Sequence, residues 1–139
     1  GYEYRLPTEA EWEFAALSGS PGPFCFGPTK SQAAEYAWHA NNAGKKTHKT
    51  GGKKANAIGM FDIHGNAWEW CYDWHTANIS NHRQEDPIGP DESADNTKII
   101  KGGSFASNPK ALRIDTRDKV FYRLGREDVG FRIVCAPEL

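Results

Sequence analysis

The stretch GMFDIHGNAWEWCYDW, residues 59–74, decides the fold of this chain because it combines a glycine turn with a dense run of tryptophans. Near its end, bulky apolar residues alternate with polar ones, which is the pattern of a half-buried strand. The alternation places Trp68 and Trp70 on one face of that strand. We therefore expect a sheet that packs around these two indole rings.

A helix is predicted before this strand, in the block RLPTEAEWEFAA that begins at Arg5. Thr8 has the side chain of a good N-cap, and Glu11, three residues later, completes a capping box. Trp12, Ala15 and Ala16 fall at helical spacing and form an apolar face.

The other elements are shorter and follow from turn residues. The helix should end near Ser18–Gly19, because the Pro/Gly-rich run after it blocks its continuation. Apolar runs and turn signals then predict a short helical or turn segment at 33–40, strands at 98–101 and 130–134, and a turn at 102–104.

Length and composition limit the class of protein. With 139 residues, a net charge of −1 and 38% hydrophobic residues, the chain suffices for one packed domain and is too short to favour two. Fourteen glycines, eight prolines and five tryptophans indicate a loop-rich fold that packs around large aromatics. No apolar run approaches the length of a membrane span. We expect a single domain, residues 1–139, with little regular secondary structure.

A basic segment, residues 45–54, holds five lysines and one histidine with no acidic residue. Such a segment could contact a polyanion. A solvated basic loop is the simpler interpretation, because the charge of the whole chain is nearly balanced. We therefore expect no nucleic-acid partner.

The three cysteines, Cys25, Cys71 and Cys135, allow one disulfide at most, so the chain is not a disulfide framework. Cys71 and Cys135 are expected to form that disulfide or to be two buried thiols, and Cys25 to be a small buried hydrophobe. The sequence contains no CxxC, HxxxH or HExxH motif. No zinc or iron site of neighbouring ligands is therefore predicted.

Three blocks stand in order along the chain: RLPTEAEWEFAA, GMFDIHGNAWEWCYDW, and the pair KGGSF and GFRIV. Together they resemble the sulfatase-modifying-factor family, whose best-known member is formylglycine-generating enzyme. The resemblance spans nearly the whole chain but corresponds only to the C-terminal portion of that family's domain. It implies an α+β fold of the formylglycine-generating-enzyme type, an irregular, C-type-lectin-like architecture with low regular secondary structure.

The resemblance also implies one bound calcium ion. Known members bind calcium through the middle block, and the matching ligands are the side chains of Asp62 and Glu69 with the main-chain carbonyls of Gly65 and Ala67. Calcium takes about six to eight hard oxygen ligands, and two carboxylates neutralise it. The residues alone leave an alternative open, in which Asp62 caps a turn and Glu69 forms an ordinary salt bridge.

Formylglycine-generating enzyme oxidises a substrate cysteine at a copper ion held by two thiolates, and the resemblance places those cysteines shortly after the GGS turn. By spacing, Ser107 and Leu112 occupy the two positions. Neither a hydroxyl nor a hydrocarbon replaces a thiolate as a soft ligand for monovalent copper. We expect this redox centre to be missing. The alternative, an oxidoreductase acting on a cysteine of a sulfatase-like substrate, would depend on other thiols.

A binding function is the main hypothesis. The segment 105–128 is expected to present a recognition surface for a protein or peptide ligand on a rigid, calcium-braced frame. Some relatives are diversity-generating-retroelement proteins in which this region is hypervariable and binds partners, and the layout here is similar. Aromatic and arginine side chains suit such a surface. The candidate ligand-binding residues are Phe105, Ser107, Asn108, Lys110, Asp115, Phe121, Tyr122, Arg123 and Arg126.

Two other interpretations stay open. The aromatic residues of this segment could fill the core while its arginines pair with buried carboxylates. The domain could also be a structural appendage of a larger protein, such as a kinase or a lipoprotein. The residues leave the compartment undetermined, whereas the resemblance favours an extracytoplasmic or cell-surface location.

Overall fold

The computed structural model describes residues 1–77 and 87–139. Small sheets, short helices and long irregular segments make up the fold, which confirms the α+β class with little regular secondary structure. No helix within the described residues has the length and apolar character needed to cross a membrane. In chain order the elements are β1 (Tyr2–Arg5), α1 (Glu9–Leu17), a 3-10 helix (Lys30–Gln32), α2 (Ala33–Tyr36), β2 (Ala37–Trp38), β3 (His64–Gly65), β4 (Trp68–Trp74), β5 (Thr97–Lys101), a second 3-10 helix (Pro109–Leu112), β6 (Asp118–Phe121), β7 (Val129–Gly130) and β8 (Val134–Pro137).

Helix α1 begins where the capping box predicts. The hydroxyl of Thr8 accepts a hydrogen bond from the Glu11 N–H at 3.2 Å, and the Glu11 carboxylate accepts one from the Thr8 N–H at 2.8 Å. Arg5 donates two bonds to Glu11, which join β1 to the helix and lower the pKa of the carboxylate. The helix ends at Leu17, before Ser18 in the left-handed conformation. Both predicted limits are confirmed.

The four-stranded sheet has the order β6-β5-β4-β7 and contains the predicted tryptophan strand. Strand β4 is antiparallel to β5 and parallel to β7, and β5 is antiparallel to β6. Trp68 is buried and Trp70 partly buried, and both pack with Ile100 and Val120. The prediction that the two indole rings share a face is confirmed.

The main core lies on the opposite face of this sheet, where α1 packs. Cys71 of β4 and Ile99 of β5 contact Trp12 of the helix, together with Ile63 and Ile114. All five side chains are at most 3% exposed. Trp12 and Ala16 of the predicted apolar face therefore belong to this core, whereas Ala15 is only partly buried.

A buried cation joins the helix to the sheet beside this core. Lys101 is fully buried, and its ammonium donates to the carboxylates of Glu13 at 2.6 Å and Glu9 at 3.3 Å. Arg117 donates to the same oxygen of Glu9 at 2.8 Å. Glu9 and Glu13 of α1 are thus neutralised by two cations from distant parts of the chain, and the buried charge of Lys101 has the partners that it needs.

Three local predictions are wrong. The segment 33–40 is helical only to Tyr36 and continues as β2. The segment 130–134 is not one strand, because Gly130 pairs with β4 whereas Val134 pairs with β1 in a second, two-stranded sheet. Cys71 and Cys135 lie in these two different sheets and form no disulfide; Cys71 is buried, but Cys135 is exposed.

Candidate functional site

The segment 105–128 leaves the four-stranded sheet after β5, at a turn whose conformation requires glycine. Gly102 and Gly103 have φ of 93° and 78°, in the region that favours glycine. A Cβ on Gly102 would lie 2.9 Å from the carbonyl oxygen of Ile63, and one on Gly103 would lie 2.6 Å from Leu112. The turn is therefore closely packed, and it fixes where the segment starts.

The two ends of the segment are bonded to each other and to the middle block. The hydroxyl of Ser104 donates to the carboxylate of Asp128 at 3.2 Å. The carbonyl of Asp128 accepts from the Trp68 N–H at 2.8 Å, and the N–H of Phe105 donates to the Asn66 carbonyl at 2.9 Å. The segment is consequently a closed loop with both ends anchored on residues 66–68.

Most of the predicted ligand-binding residues lie at the surface of this loop. Phe121 and Tyr122 are 44% and 40% exposed. Phe105 is only 7% exposed, which corrects the expectation that its ring is a surface anchor. Its N–H is bonded to the buried Asn66, so the residue is held against the interior. We define the recognition surface by the remaining candidates, of which Asn108, Lys110, Asp115, Phe121, Tyr122 and Arg123 are exposed and Ser107 and Arg126 partly buried.

The two positions that match copper-binding cysteines have structural roles here. The hydroxyl of Ser107 accepts a hydrogen bond from the Ser104 N–H at 2.9 Å. Leu112 is fully buried and packs with Phe24 and Ala37. One position thus closes a turn, and the other fills a core.

The thiols occupy three different places in the fold. Burial raises the pKa of Cys25 to about 11 and also raises the pKa of Cys71. Cys135 lies on the outer two-stranded sheet. Because the thiolate is the metal ligand and the nucleophile, neither Cys25 nor Cys71 is disposed to either role at neutral pH.

Aromatic rings and cations cluster at one end of the recognition surface. The ring of Tyr122 lies 5.5 Å from that of Trp74 in an edge-on contact and 5.4 Å from that of Phe121. The Arg123 guanidinium lies 4.9 Å from the centre of the Tyr122 ring, and the Lys98 ammonium lies 4.1 Å from the centre of a Trp74 ring. Partial burial lowers the pKa of Lys98. We call these five side chains the aromatic–cation array.

Sequence reasoning missed Trp74 and Lys98. A signal was present, because the alternation that starts at Trp68 and Trp70 continues through Tyr72 to Trp74. Lys98 was not predictable as its neighbour, since the register of β4 against β5 shifts between Trp70 and Trp74.

Two ion pairs lie on the recognition surface. Arg113 donates to both carboxylate oxygens of Asp115 at 2.8 and 2.6 Å, and this pairing lowers the pKa of Asp115. Arg126 donates to both oxygens of Asp128 at 2.9 Å. Asp115 and Arg126 therefore already have partners. The positive charges of Lys110 and Arg123 extend from the loop towards solvent.

Glu69, a predicted calcium ligand, is buried and already hydrogen-bonded. Arg132 donates from Nε and Nη2 to its two oxygens, each at 2.6 Å, and the Trp12 indole donates to Oε2 at 2.6 Å. Nη2 of Arg132 also donates to the carbonyl of Phe61 at 3.1 Å. The salt bridge that the sequence left open as an alternative is therefore present.

Asp62, the other predicted acidic ligand, has an oxygen without a protein partner. Its Oδ2 accepts from the Gly51 N–H at 2.8 Å, whereas its Oδ1 is buried and makes no hydrogen bond. Leaving a buried carboxylate oxygen unpaired is costly, so this atom would gain from a cation. Gly65 has a φ of 73°, and a Cβ there would lie 2.1 Å from the Trp38 carbonyl oxygen, so its conformation requires glycine.

The residues present fit a calcium ion in part. Within residues 1–77 and 87–139, no group of three or more His, Cys, Asp or Glu side chains could hold a metal. An ion at Asp62 would therefore depend on main-chain carbonyls, for which Gly65 and Ala67 are the candidates. Glu69 would be a weaker calcium ligand than an unpaired carboxylate, because Arg132 already neutralises its charge.

The chain matches a known family over almost its whole length. The family model described as the sulfatase-modifying factor enzyme 1-like domain matches residues 2–137. The formylglycine-generating enzyme of Streptomyces coelicolor is 33% identical over 150 residues, which cover 96% of this chain and 46% of that protein. The chaperone protein LppX of Paenibacillus barcinonensis is 30% identical over 148 residues, which cover 94% of this chain and 49% of that protein. The chain thus spans about half the length of these curated relatives.

A solved structure has the same fold. Treponema denticola variable protein 1 superposes with a TM-score of 0.87 and is 37% identical in sequence. The match covers 96% of this chain and 48% of that one. The two chains therefore share their backbone arrangement over nearly all of the residues described above.

Proposed function

We propose that this chain, which belongs to the sulfatase-modifying factor enzyme 1-like family, is a non-catalytic binding domain that presents the recognition surface to a protein or peptide ligand. The main supporting observation is the aromatic–cation array, in which exposed rings and the Arg123 guanidinium, on a loop whose ends are fixed, lie beside Trp74 and Lys98 of the four-stranded sheet. The likeness to a variable protein supports the same role. The loop then corresponds to the variable region of a diversity-generating-retroelement-type protein.

The frame suits binding because it is already ordered. The turn at Gly102 and Gly103 and the bond from Ser104 to Asp128 hold both ends of the loop. A loop that is ordered before binding loses less conformational entropy when the ligand arrives. The scaffold can therefore tolerate changes at the exposed positions while it keeps the geometry of the ends.

The chemistry of the array favours a particular class of ligand. Tyrosine, tryptophan and arginine dominate the energetics of protein interfaces, because they combine a large apolar area with a hydrogen-bonding group. Lys98, Lys110 and Arg123 add positive charge, and Asp115 is neutralised by its own partner. The ligand should therefore combine aromatic or aliphatic side chains with carboxylates.

Oxidation of the formylglycine-generating type is not part of the proposed function. Ser107 closes a turn, and Leu112 is a core hydrocarbon, so neither position offers a thiolate. The partly buried thiol of Cys25 and the buried thiol of Cys71 have raised pKa values, which disfavour the thiolate form. An enzyme of this type would need a different pair of ligands for copper.

Calcium enters the proposal as a brace for the frame. Asp62 would supply Oδ1, Gly65 and Ala67 would supply carbonyl oxygens, and Glu69 would keep its bond to Arg132. When bound, calcium would neutralise the buried carboxylate of Asp62. Residues 66–68 of the middle block bond to both ends of the loop 105–128. An ion there would therefore stabilise the recognition surface indirectly.

Selection from a displayed peptide library tests the proposed function. The native chain serves as bait, and a Tyr122→Ala/Arg123→Ala double variant is used for counter-selection. We expect enriched peptides that contain aromatic and acidic residues and fail to bind the double variant. Failure to enrich any peptide, or enrichment of peptides that bind both baits equally, would contradict the proposal.

A further inference from the structure

Strand β6 is an edge of the four-stranded sheet, and its far side has no neighbouring strand within residues 1–77 and 87–139. It runs from Asp118 to Phe121 and pairs with β5 on its other side. An edge strand presents main-chain N–H and C=O groups that another chain can bond. Because Phe121 belongs to both this strand and the recognition surface, the edge adjoins the proposed binding site.

The register of β6 against β5 decides which main-chain groups point away from the sheet. Phe121 lies opposite Thr97, and Tyr122, the next residue, donates its N–H to the carbonyl of Asn96 at 3.1 Å. That bond identifies the pair of Phe121 and Thr97 as one without mutual hydrogen bonds, and such pairs alternate with bonded ones along an antiparallel ladder. The N–H and C=O groups of Phe121 and of Lys119, two residues earlier, therefore point to the free edge.

Two of these four groups already have partners within the chain. The N–H of Lys119 donates to Oδ1 of Asp118 at 2.8 Å, and the carbonyl of Phe121 accepts from the N–H of Leu124 at 2.9 Å. The carbonyl of Lys119 and the N–H of Phe121 have no protein partner in the part of the chain that the structure describes. These two groups lie on either side of Val120.

The two free groups match a strand that runs parallel to β6. In a parallel pair, one residue of the added strand donates to the carbonyl before the residue that it faces and accepts from the N–H after it. The carbonyl of Lys119 and the N–H of Phe121 occupy these two places around Val120. In an antiparallel strand, a facing residue would bond both groups of Lys119 or both groups of Phe121, and one group of each residue is already used.

The residue that faces Val120 would also extend a cross-strand row of the aromatic–cation array. Trp74 lies opposite Lys98, and Lys98 lies opposite Val120. Residues directly opposed on neighbouring strands put their side chains on the same face of a sheet. The side chain of the added residue would therefore lie on the face of Trp74 and Lys98. One peptide can thus bond the edge and contact the array.

The lysine on this strand does not block the edge. Edge strands often carry lysines that prevent pairing with another chain. Here the ammonium of Lys119 is bonded to the carboxylate of Asp95, which also accepts from the hydroxyl of Thr97 in β5. The charge of Lys119 is therefore held on the β5 side and is neutralised there.

We propose that the peptide ligand binds as a fifth strand beside β6 and parallel to it, with one peptide residue bonded to both the Lys119 carbonyl and the Phe121 N–H. The inference rests on the proposed function, because it gives the binding mode at the same surface. Main-chain bonds of this kind supply affinity, and the alternating side chains of the added strand supply specificity. A second copy of this chain fits the edge less well, since a two-fold axis would pair the two β6 strands antiparallel.

A scan of N-methylated peptides tests this binding mode. The probe is the tightest-binding peptide from the selection on the native chain, synthesised with one main-chain N-methyl group at each position in turn. N-methylation removes a main-chain donor and keeps the side chain. We expect the dissociation constant to rise about tenfold at the residue that faces Val120, and to stay within about twofold at the residues before and after it, whose N–H groups point away from β6.

The protein offers a matched pair of variants, Phe121→Pro and Phe121→Ala. Both remove the ring, but only proline also removes the N–H at the free edge, where an edge strand tolerates proline. We expect Phe121→Pro to bind the unmodified peptide about fivefold more weakly than Phe121→Ala. Urea titration shows whether both variants are folded. If Phe121→Pro does not fold, the N-methyl scan decides, because it leaves the protein unchanged.

A nitroxide label at the amino end of the same peptide reports its direction. A parallel strand should broaden the amide resonances near Asp118 more than those near Tyr122, and the reverse would overturn the parallel orientation. N-methyl effects that are uniform along the peptide, or equal binding by the two Phe121 variants, would overturn strand addition and leave the proposed function standing. Self-association of the chain that Phe121→Pro abolishes would assign the edge to a second copy. If the native chain selects no peptide, the proposed function itself fails and this inference fails with it.

Discussion

The guanidinium of Arg132 binds both carboxylate oxygens of Glu69, with Nε and Nη2 each at 2.6 Å, although the two residues are 63 positions apart in the chain. The pair joins β4 to the chain between β7 and β8, and the Trp12 indole adds a third bond from α1. A side chain expected to bind calcium is thus, first of all, the centre of a hydrogen-bond network among three elements.

Replacement of Glu69 by alanine should destabilise the chain even without calcium. The Glu69→Ala change leaves Arg132 and the Trp12 N–H without their acceptor, and breaking a buried ion pair costs about 3 to 5 kcal/mol. The free energy of unfolding, measured by urea titration in chelator with tryptophan fluorescence, tests this. Glu3→Ala is the matched control, because it removes only a more exposed partner of Arg5 and should cost less than about 1 kcal/mol. Similar small losses for both variants would contradict the network.

Calcium should raise the melting temperature through Asp62. An ion that binds only the folded state stabilises it by mass action, and the unpaired Oδ1 of Asp62 is the atom with most to gain. The native chain should therefore melt at a higher temperature in millimolar calcium than in chelator, and Asp62→Ala should abolish that difference. Identical melting temperatures of the native chain in the two buffers would eliminate calcium as a brace.

The chain should lose stability between pH 6.5 and pH 4 because of His64. This side chain is buried, with its ring bonded to the Leu112 carbonyl and the Cys25 N–H, and burial lowers its pKa to about 4. The unfolded chain binds a proton near pH 6.5 and the folded chain does not, so stability falls as pH falls through this window, by roughly 3 kcal/mol in total. His39 and His75 also have lowered pKa values and act in the same direction.

The contribution of His64 is isolated by difference. Urea titrations of the native chain and of His64→Gln at several pH values should give a shallower pH dependence for the variant. If the two pH profiles are parallel, His64 does not titrate in this way.

The sequence predicts elements that depend on neighbours in the chain. The capping box of Thr8 and Glu11 and the alternation from Trp68 to Trp70 are local patterns, and the structure confirms both. The GGS turn is likewise local, because positive φ at Gly102 and Gly103 follows from the need for glycine there.

Features that depend on distant contacts could not be predicted in this way. The bonds of Glu69 to Arg132 join residues 63 positions apart, and the inward position of Phe105 accompanies the bond of its N–H to Asn66 of the middle block. The division of 130–134 between two sheets depends on β1, more than 120 positions earlier, as the pairing of Arg5 with Val134 illustrates. Periodicity within a segment cannot reveal such partners.

A negative result is expected for oxidation. When the chain is incubated with copper and a cysteine-containing peptide of the sulfatase type, mass spectrometry should detect no conversion of the cysteine to the aldehyde, because the positions of Ser107 and Leu112 offer no thiolate. An enzyme with known formylglycine-generating activity is the positive control. Copper-dependent conversion by this chain would mean that other thiols bind the metal.

The most direct test of the central claim is the dissociation constant of a selected peptide, measured by calorimetry for single-residue variants. We expect Tyr122→Ala and Arg123→Ala each to weaken binding about tenfold, as is usual for interface anchors. Phe61→Ala, which removes a ring that is also exposed, at 42%, but lies outside the recognition surface, should leave the constant within about twofold. Equal dissociation constants for all these variants and the native chain would contradict a recognition surface at 105–128.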